Sequence, residues 1–301
     1  MWMLILVAVG GAFAQFVDGS MGMGYGTTSA SLLVAAGFLP ALVSASVHTA
    51  ETFTTFVAGL SHLRMGNADK KIVIPLAVSG VIGGVLGAYF LSSLVSGDAT
   101  RPIVGAILLL LGIRILAQAF QGKLVSNRVG RLPKRLLLPL GLVAGAVDAV
   151  GGGGWGPIAT STLVSHNHAT PRRIVGSVSL SEFFVTLSIT LTFIFTLGIH
   201  NFLWKITIPL LLGGILVAPV AAYVSRRVPG KALGIAVGLL LIVLNSRTVL
   251  QYIAHATGLT LPTPSNIVIM VLVGLIAAWL VVALLLSRKA IPGSVKLEAG
   301  E

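Results

Sequence analysis

Four acidic residues sit in apolar surroundings that should carry none. Glu51 and Glu182 each lie 11 residues after a proline, Pro40 and Pro171, and both pairs are 131 residues apart. At about 1.5 Å per residue, each carboxylate stands some 16 Å along a helix, near the middle of a bilayer. An ionisable group there is costly and is by default a functional one, and a carboxylate that must shed its charge can carry a proton. The competing role is structural, a pair of hydrogen-bonded acids holding helices together. Asp18 and Asp148 make a second matched pair, each opening a glycine-rich run, DGSMGMGYG (18–26) and DAVGGGGWG (148–156). Either they join Glu51 and Glu182 in coupling, or they bond to free backbone N–H groups of the loop.

The glycine runs have a chemistry of their own. Glycine permits positive φ and lets backbone approach a ligand closely. After each run a new helix begins, with Thr27, Thr28 and Ser29 in one place and Thr160 and Ser161 in the other. Free N–H groups, hydroxyls and the positive end of a helix dipole favour an anion. The candidate substrate-binding residues are therefore Gly22, Gly24, Tyr25, Gly26, Thr27 and Thr28, with Gly152, Gly154, Trp155, Gly156, Thr160 and Ser161. Tyr25 and Trp155 could wall the site or simply pack. Close helix packing is the plainer role of glycines, and Gly80, Gly84 and Gly87 have that spacing. Arg114 could balance a substrate's charge or snorkel to the interface. His48 lies three residues before Glu51 on the same helix face, but Ser179 stands at the matching place, which argues against a symmetric metal site. His166 and His168 lack further ligands and read as a surface loop. No metal and no cofactor is expected.

These residues recur because the chain is duplicated. Between 11–34 and 141–164, 10 of 24 positions are identical. The match continues through Ile74-Pro75-Leu76 with Ile208-Pro209-Leu210, and Ala88-Tyr89 with Ala222-Tyr223, at an offset of 134. Hydrophobic halves that are each broken by a glycine run describe a transporter with its substrate site between them.

The elements that position this site must be membrane helices. The chain is 55% hydrophobic and 9% charged, with a mean hydropathy of +1.00, which excludes an ordinary soluble domain. Apolar spans read as Lys71–Ser96, Pro102–Phe120, Arg173–Leu197, Trp204–Ser225, Lys231–Asn245 and Asn266–Ser287. Lipid offers no partner to an open strand edge, so the fold class is all-α, a polytopic transmembrane bundle. The first repeat covers 1–120, a basic cytoplasmic linker 121–135, and the second repeat 136–250. A further helix spans 262–288 and a cytoplasmic tail 289–301. Ala12-Phe13-Ala14 has the look of a signal-peptidase site, but no positive stretch precedes it and the repeat runs through it, so the first helix is retained.

The net charge of +12 follows from sidedness, not from nucleic-acid binding. Loops on one side carry 16 of the 20 Lys and Arg, against Arg101, Lys205 and Arg247 on the other. The C-terminus is then cytoplasmic and the N-terminus outside. Segments 27–39 and 157–168 are too short to cross and form either two partial spans or a re-entrant hairpin. In both cases each half makes an odd number of net crossings, so the halves are inverted and both glycine breaks point to the bilayer middle.

The run GAFAQFVDGSMGMGYGT (11–27), the Glu51 region and the VDAVGGGGWGP copy (147–157) together resemble the TauE/SafE sulfite exporter family, over residues 8 to 250. The resemblance implies a plasma-membrane (inner-membrane) carrier for small sulfur-containing anions such as sulfite, sulfoacetate or other organosulfonates, and no enzyme. The residues themselves give only an anion between inverted repeats, working by alternating access with Glu51 or Glu182 protonation as the coupling step. The alternatives are a passive anion channel, a carrier of another small organic anion, and an intramembrane aspartyl protease built on Asp18 and Asp148. The expected partners are a small anionic substrate and the lipid bilayer; oligomeric state is not legible.

Overall fold

The computed structural model describes residues 2–21, 23–95, 97–121, 134–165, 171–224 and 230–257. Ten α-helices form these stretches: α1 (Trp2–Met21), α2 (Tyr25–Ala35), α3 (Pro40–Arg64), α4 (Lys70–Tyr89), α5 (Gly97–Phe120), α6 (Lys134–Gly151), α7 (Ser161–Ser165), α8 (Pro171–Leu197), α9 (Trp204–Val224) and α10 (Gly230–Thr257). A π-helical turn extends α4 over Phe90–Leu94, and another, Gly156–Thr160, leads into α7. Gly22, His166 and His168, most of the linker, the expected helix at 262–288 and the tail lie outside the described residues.

Among the described residues, four helical stretches are long and apolar enough to cross a membrane: Lys70–Leu94, Ala99–Phe120, Arg173–Leu197 and Gly234–Ala254. Large apolar side chains face outward along them and their neighbours, among them Leu86, Leu110, Phe195 and Leu216. Such a surface is stable only against lipid, so the chain is a multi-pass membrane protein. Polar side chains go the other way. Ser44, Ser46, His48, Thr49, Glu51 and Thr55 are buried on α3, and Ser177, Ser181, Thr186 and Thr190 on α8. These two helices pack on each other, flanked by α4 and α9.

The packing pattern survives exchange of the two halves. α1 lies on α9 as α6 lies on α4; α3 touches α9 as α8 touches α4; α3 meets α8 and α5 meets α10. Individual contacts follow the same rule. A Cβ on Gly11 would sit 2.9 Å from Leu210 Cα, and one on its match Gly141 would sit 2.7 Å from Leu76 O. The hydroxyls of Thr55 and Thr186, 131 positions apart, lie 3.4 Å from each other.

Two features differ from the hydropathy reading. α10 continues to Thr257, so Arg247 stands inside a helix and not in a loop, and Arg101 and Lys205 likewise fall in the opening turns of α5 and α9. The second copy of the short helix also starts differently from the first. α2 is a regular helix of 11 residues, about 16 Å long, whereas its counterpart opens with Pro157 inside a π turn before the five-residue α7.

Candidate functional site

Both glycine breaks are tight turns that reverse the chain between helices. Gly24 has φ 117° as the residue before α2, and Gly152 has φ 69° just after α6. L-residues avoid this region, which is why the turns demand glycine. The two breaks meet backbone to backbone. A Cβ on Gly26 would lie 2.7 Å from Gly153 Cα and 2.9 Å from Gly152 O, and one on Gly153 would strike Thr27 N. Met23 to Ser29 and Gly151 to Pro157 are all buried.

The four acids of the sequence reading converge on this junction. Asp148 Oδ1 accepts the backbone N–H of Trp155 at 2.9 Å, and Asp18 accepts that of Tyr25, its match. Each aspartate thus accepts a backbone N–H at the start of the helical segment that follows its own glycine run. Glu51 accepts the N–H of Gly26, while its Oε2 is buried without a hydrogen-bond partner. Asp148, Glu182 and Asp18 are all close enough to act on Glu51 electrostatically, and Asp18 and Asp148 act likewise on Glu182. The donors that a helix start offers an anion are here held by the protein's own carboxylates.

Among the described residues, His48 is the histidine that meets this cluster. Its Nε2 lies 3.2 Å from Asp148 Oδ2, both side chains being buried, and its Nδ1 lies 2.8 Å from Ser44 O. Ser44 in turn donates its hydroxyl to Ala149 O at 2.6 Å. Both imidazole nitrogens therefore face acceptors, Ser44 O and Asp148 Oδ2. Ser179 stands at the position that matches His48, so the duplication does not repeat this histidine.

The remaining candidates divide between packing and open polar groups. The Tyr25 ring lies against Gly214 and donates its hydroxyl to Leu210 O at 3.2 Å. The Trp155 ring lies against Gly80, the match of Gly214, and donates Nε1–H to Val178 O at 3.2 Å. Thr27 donates to Gly24 O at 3.3 Å, and Ser161 donates to Pro157 O. Thr160 is buried, as are Gly154 and Gly156. By contrast Thr28 Oγ1 and Ser29 Oγ in the first turn of α2, and Ser46 Oγ on α3, are buried without a hydrogen-bond partner. Arg114 reaches from α5 to the second short segment, donating to Thr162 Oγ1 at 2.7 Å, Ser161 Oγ at 3.3 Å and Pro157 O at 3.3 Å. Among the described residues no group of His, Asp and Glu could hold a metal ion.

Sequence reasoning passed over Arg247. Its signal is a further stretch of the duplication, at an offset of 133: Val104-Gly105 with Val237-Gly238, Leu108 with Leu241, Leu111 with Leu244, Arg114 with Arg247 and Gln118 with Gln251. Reading the span as ending at Asn245 hid it.

The family model described as Sulfite exporter TauE/SafE matches residues 7–248. A protein of Bacillus subtilis (strain 168), "Probable membrane transporter protein YtnM", is 43% identical over 255 residues, covering 84% of this chain and 85% of its own. No solved structure matches.

Proposed function

The chain belongs to the TauE/SafE sulfite exporter family, and from that membrane-transporter premise we propose that it exports a small sulfur-containing anion, sulfite or an organosulfonate, across the plasma membrane by alternating access. The halves are read as inverted repeats with the glycine breaks at the bilayer middle, an arrangement that suits rocking of one half against the other. The observation that carries this reading is the junction itself: helix-start N–H groups, unpartnered hydroxyls of Thr28 and Ser29, and Glu51 bonded to the N–H of Gly26. Close backbone contact between Gly26 and Gly153 favours a carrier over a standing pore.

Glu51 and the substrate compete for the same donor. Protonating Glu51 removes its charge and releases the Gly26 N–H, so a proton and an anion enter the junction together and travel together. Proton loading also relieves the mutual repulsion of Glu51, Glu182 and Asp18. A divalent anion carrying one proton retains one negative charge, which an inside-negative potential drives outward by ~2.3 kcal/mol per 100 mV.

Proteoliposome flux tests the proposal with a panel of sulfite, sulfate, sulfoacetate and taurine under an imposed pH gradient. A carrier shows trans-stimulated exchange, and acid on the loaded side accelerates efflux. Glu51→Gln or Glu182→Gln should flatten that pH dependence. Parent-like pH response in both variants would remove the proton role, and flux without exchange would make the protein a channel.

A further inference from the structure

An acid-rich junction is a poor resting place for an anion unless protons are supplied, so the positive charges inside the helices need a role. Arg114 and Arg247 stand at matching positions, each followed on the same helix face by a glutamine four residues on, Gln118 and Gln251. Arg114 is bound to Ser161, Thr162 and Pro157. Arg247 instead lines a cavity of about 1030 Å³ where the α2–α3 turn, the first turns of α5 and the last turns of α10 come together. Its Nε is buried and has no hydrogen-bond partner. Arg101 enters from α5 and donates to Gly37 O at 3.0 Å, and Thr248, Gln251 and Tyr252 complete the polar wall.

We propose that this cavity is a second anion site, separate from the glycine breaks, which takes a tetrahedral oxyanion such as a sulfonate, sulfate or phosphate group. A guanidinium presents its N–H groups as a planar fork that fits two oxygens of such a group. The exposed ends of Gln251 and Tyr252 supply further donors at the rim. The site captures anions at one end of the bundle, where the α2–α3 turn lies, and Arg114 marks the related position at the other. Binding here needs neither proton coupling nor transport, so it stands apart from the function proposed above.

The full chain in neutral detergent, titrated with inorganic sulfate by calorimetry, tests the site. Loss of a charged hydrogen-bonding partner should weaken binding roughly ten- to hundredfold in Arg247→Gln. Ala99→Trp, at an exposed position on the cavity wall, should block the same binding without disturbing the core, which circular-dichroism melting verifies. A lipid phosphate offers the same chemistry, so the titration is repeated in nanodiscs of neutral and of anionic phospholipid. Competition by anionic lipid assigns the occupant to the membrane, and its absence assigns it to the water phase. Parent-like affinity in both variants, or a parent that binds neither sulfate nor anionic lipid, overturns the site. Glu51→Gln separates the two proposals: sulfate affinity retained while flux loses its pH dependence supports both, whereas sulfate binding lost in Glu51→Gln puts the anion at the breaks and overturns this one.

Discussion

At the scale of single residues, His48 is where the duplication fails and where a charge calculation is most direct. Asp148 spends one oxygen on the Trp155 N–H and the other on His48, so its charge is answered twice. Replacing His48 by Ala leaves a buried carboxylate with half its partners, and removing one member of such a pair typically costs about 3–5 kcal/mol. Thermal unfolding in detergent should show His48→Ala well below the parent. Adding Asp148→Asn should recover much of the loss, since Asn still accepts from Trp155 and carries no charge. A double variant as unstable as the single one would mean that His48 acts through packing. The individual acids were legible in the sequence because carboxylates in apolar helices are rare. Their partners were not, since nothing in the order of residues says that Asp148 would meet a histidine 100 positions away.

At the scale of elements, the bundle is assembled by glycines that accept a large ring from the other half. Gly80 receives Trp155 and Gly214 receives Tyr25, yet the fits differ: an added Cβ would lie 2.6 Å from the indole but 3.3 Å from the phenol ring. Gly→Ala gains about 1 kcal/mol of helix propensity, and overpacking costs about 1–3 kcal/mol. The indole is fully buried and fixed by its bond to Val178 O, so Gly80→Ala should lower the melting temperature clearly. The Tyr25 ring edge has a few tenths of an ångström to yield, so Gly214→Ala should fall close to the parent. Equal melting shifts would refute the difference in fit. Helix number and span for α4, α5 and α8 followed from apolar run length, because a bilayer imposes that length. The end of α10 did not, because Asn245, Ser246 and Arg247 look like a loop until Asn245 is seen bonding Ser31 at 2.8 Å inside the bundle. The glycine runs likewise announced tight backbone, but not that their N–H groups would be taken by Asp18, Glu51 and Asp148.

For the whole molecule, the decisive property is the relative direction of the two halves, and it can be read without any substrate. Met65, just past α3, and Ile199, just past α8, occupy matching positions at an offset of 134 and are both exposed. If the repeats are inverted, these loops open on opposite faces of the membrane; if they are parallel, on the same face. The chain has no cysteine, so Met65→Cys and Ile199→Cys each introduce a single thiol into an otherwise unreactive background. Charge bias puts the Met65 loop, with Arg64, Lys70 and Lys71 beside it, on the cytoplasmic face. An impermeant maleimide applied to intact cells should therefore label Cys at 199 and spare Cys at 65, which reacts after the membrane is opened. Labelling of both thiols from one side would make the repeats parallel. The glycine breaks would then enter from the same face, and the two halves could no longer exchange roles as the inward- and outward-opening parts of a carrier.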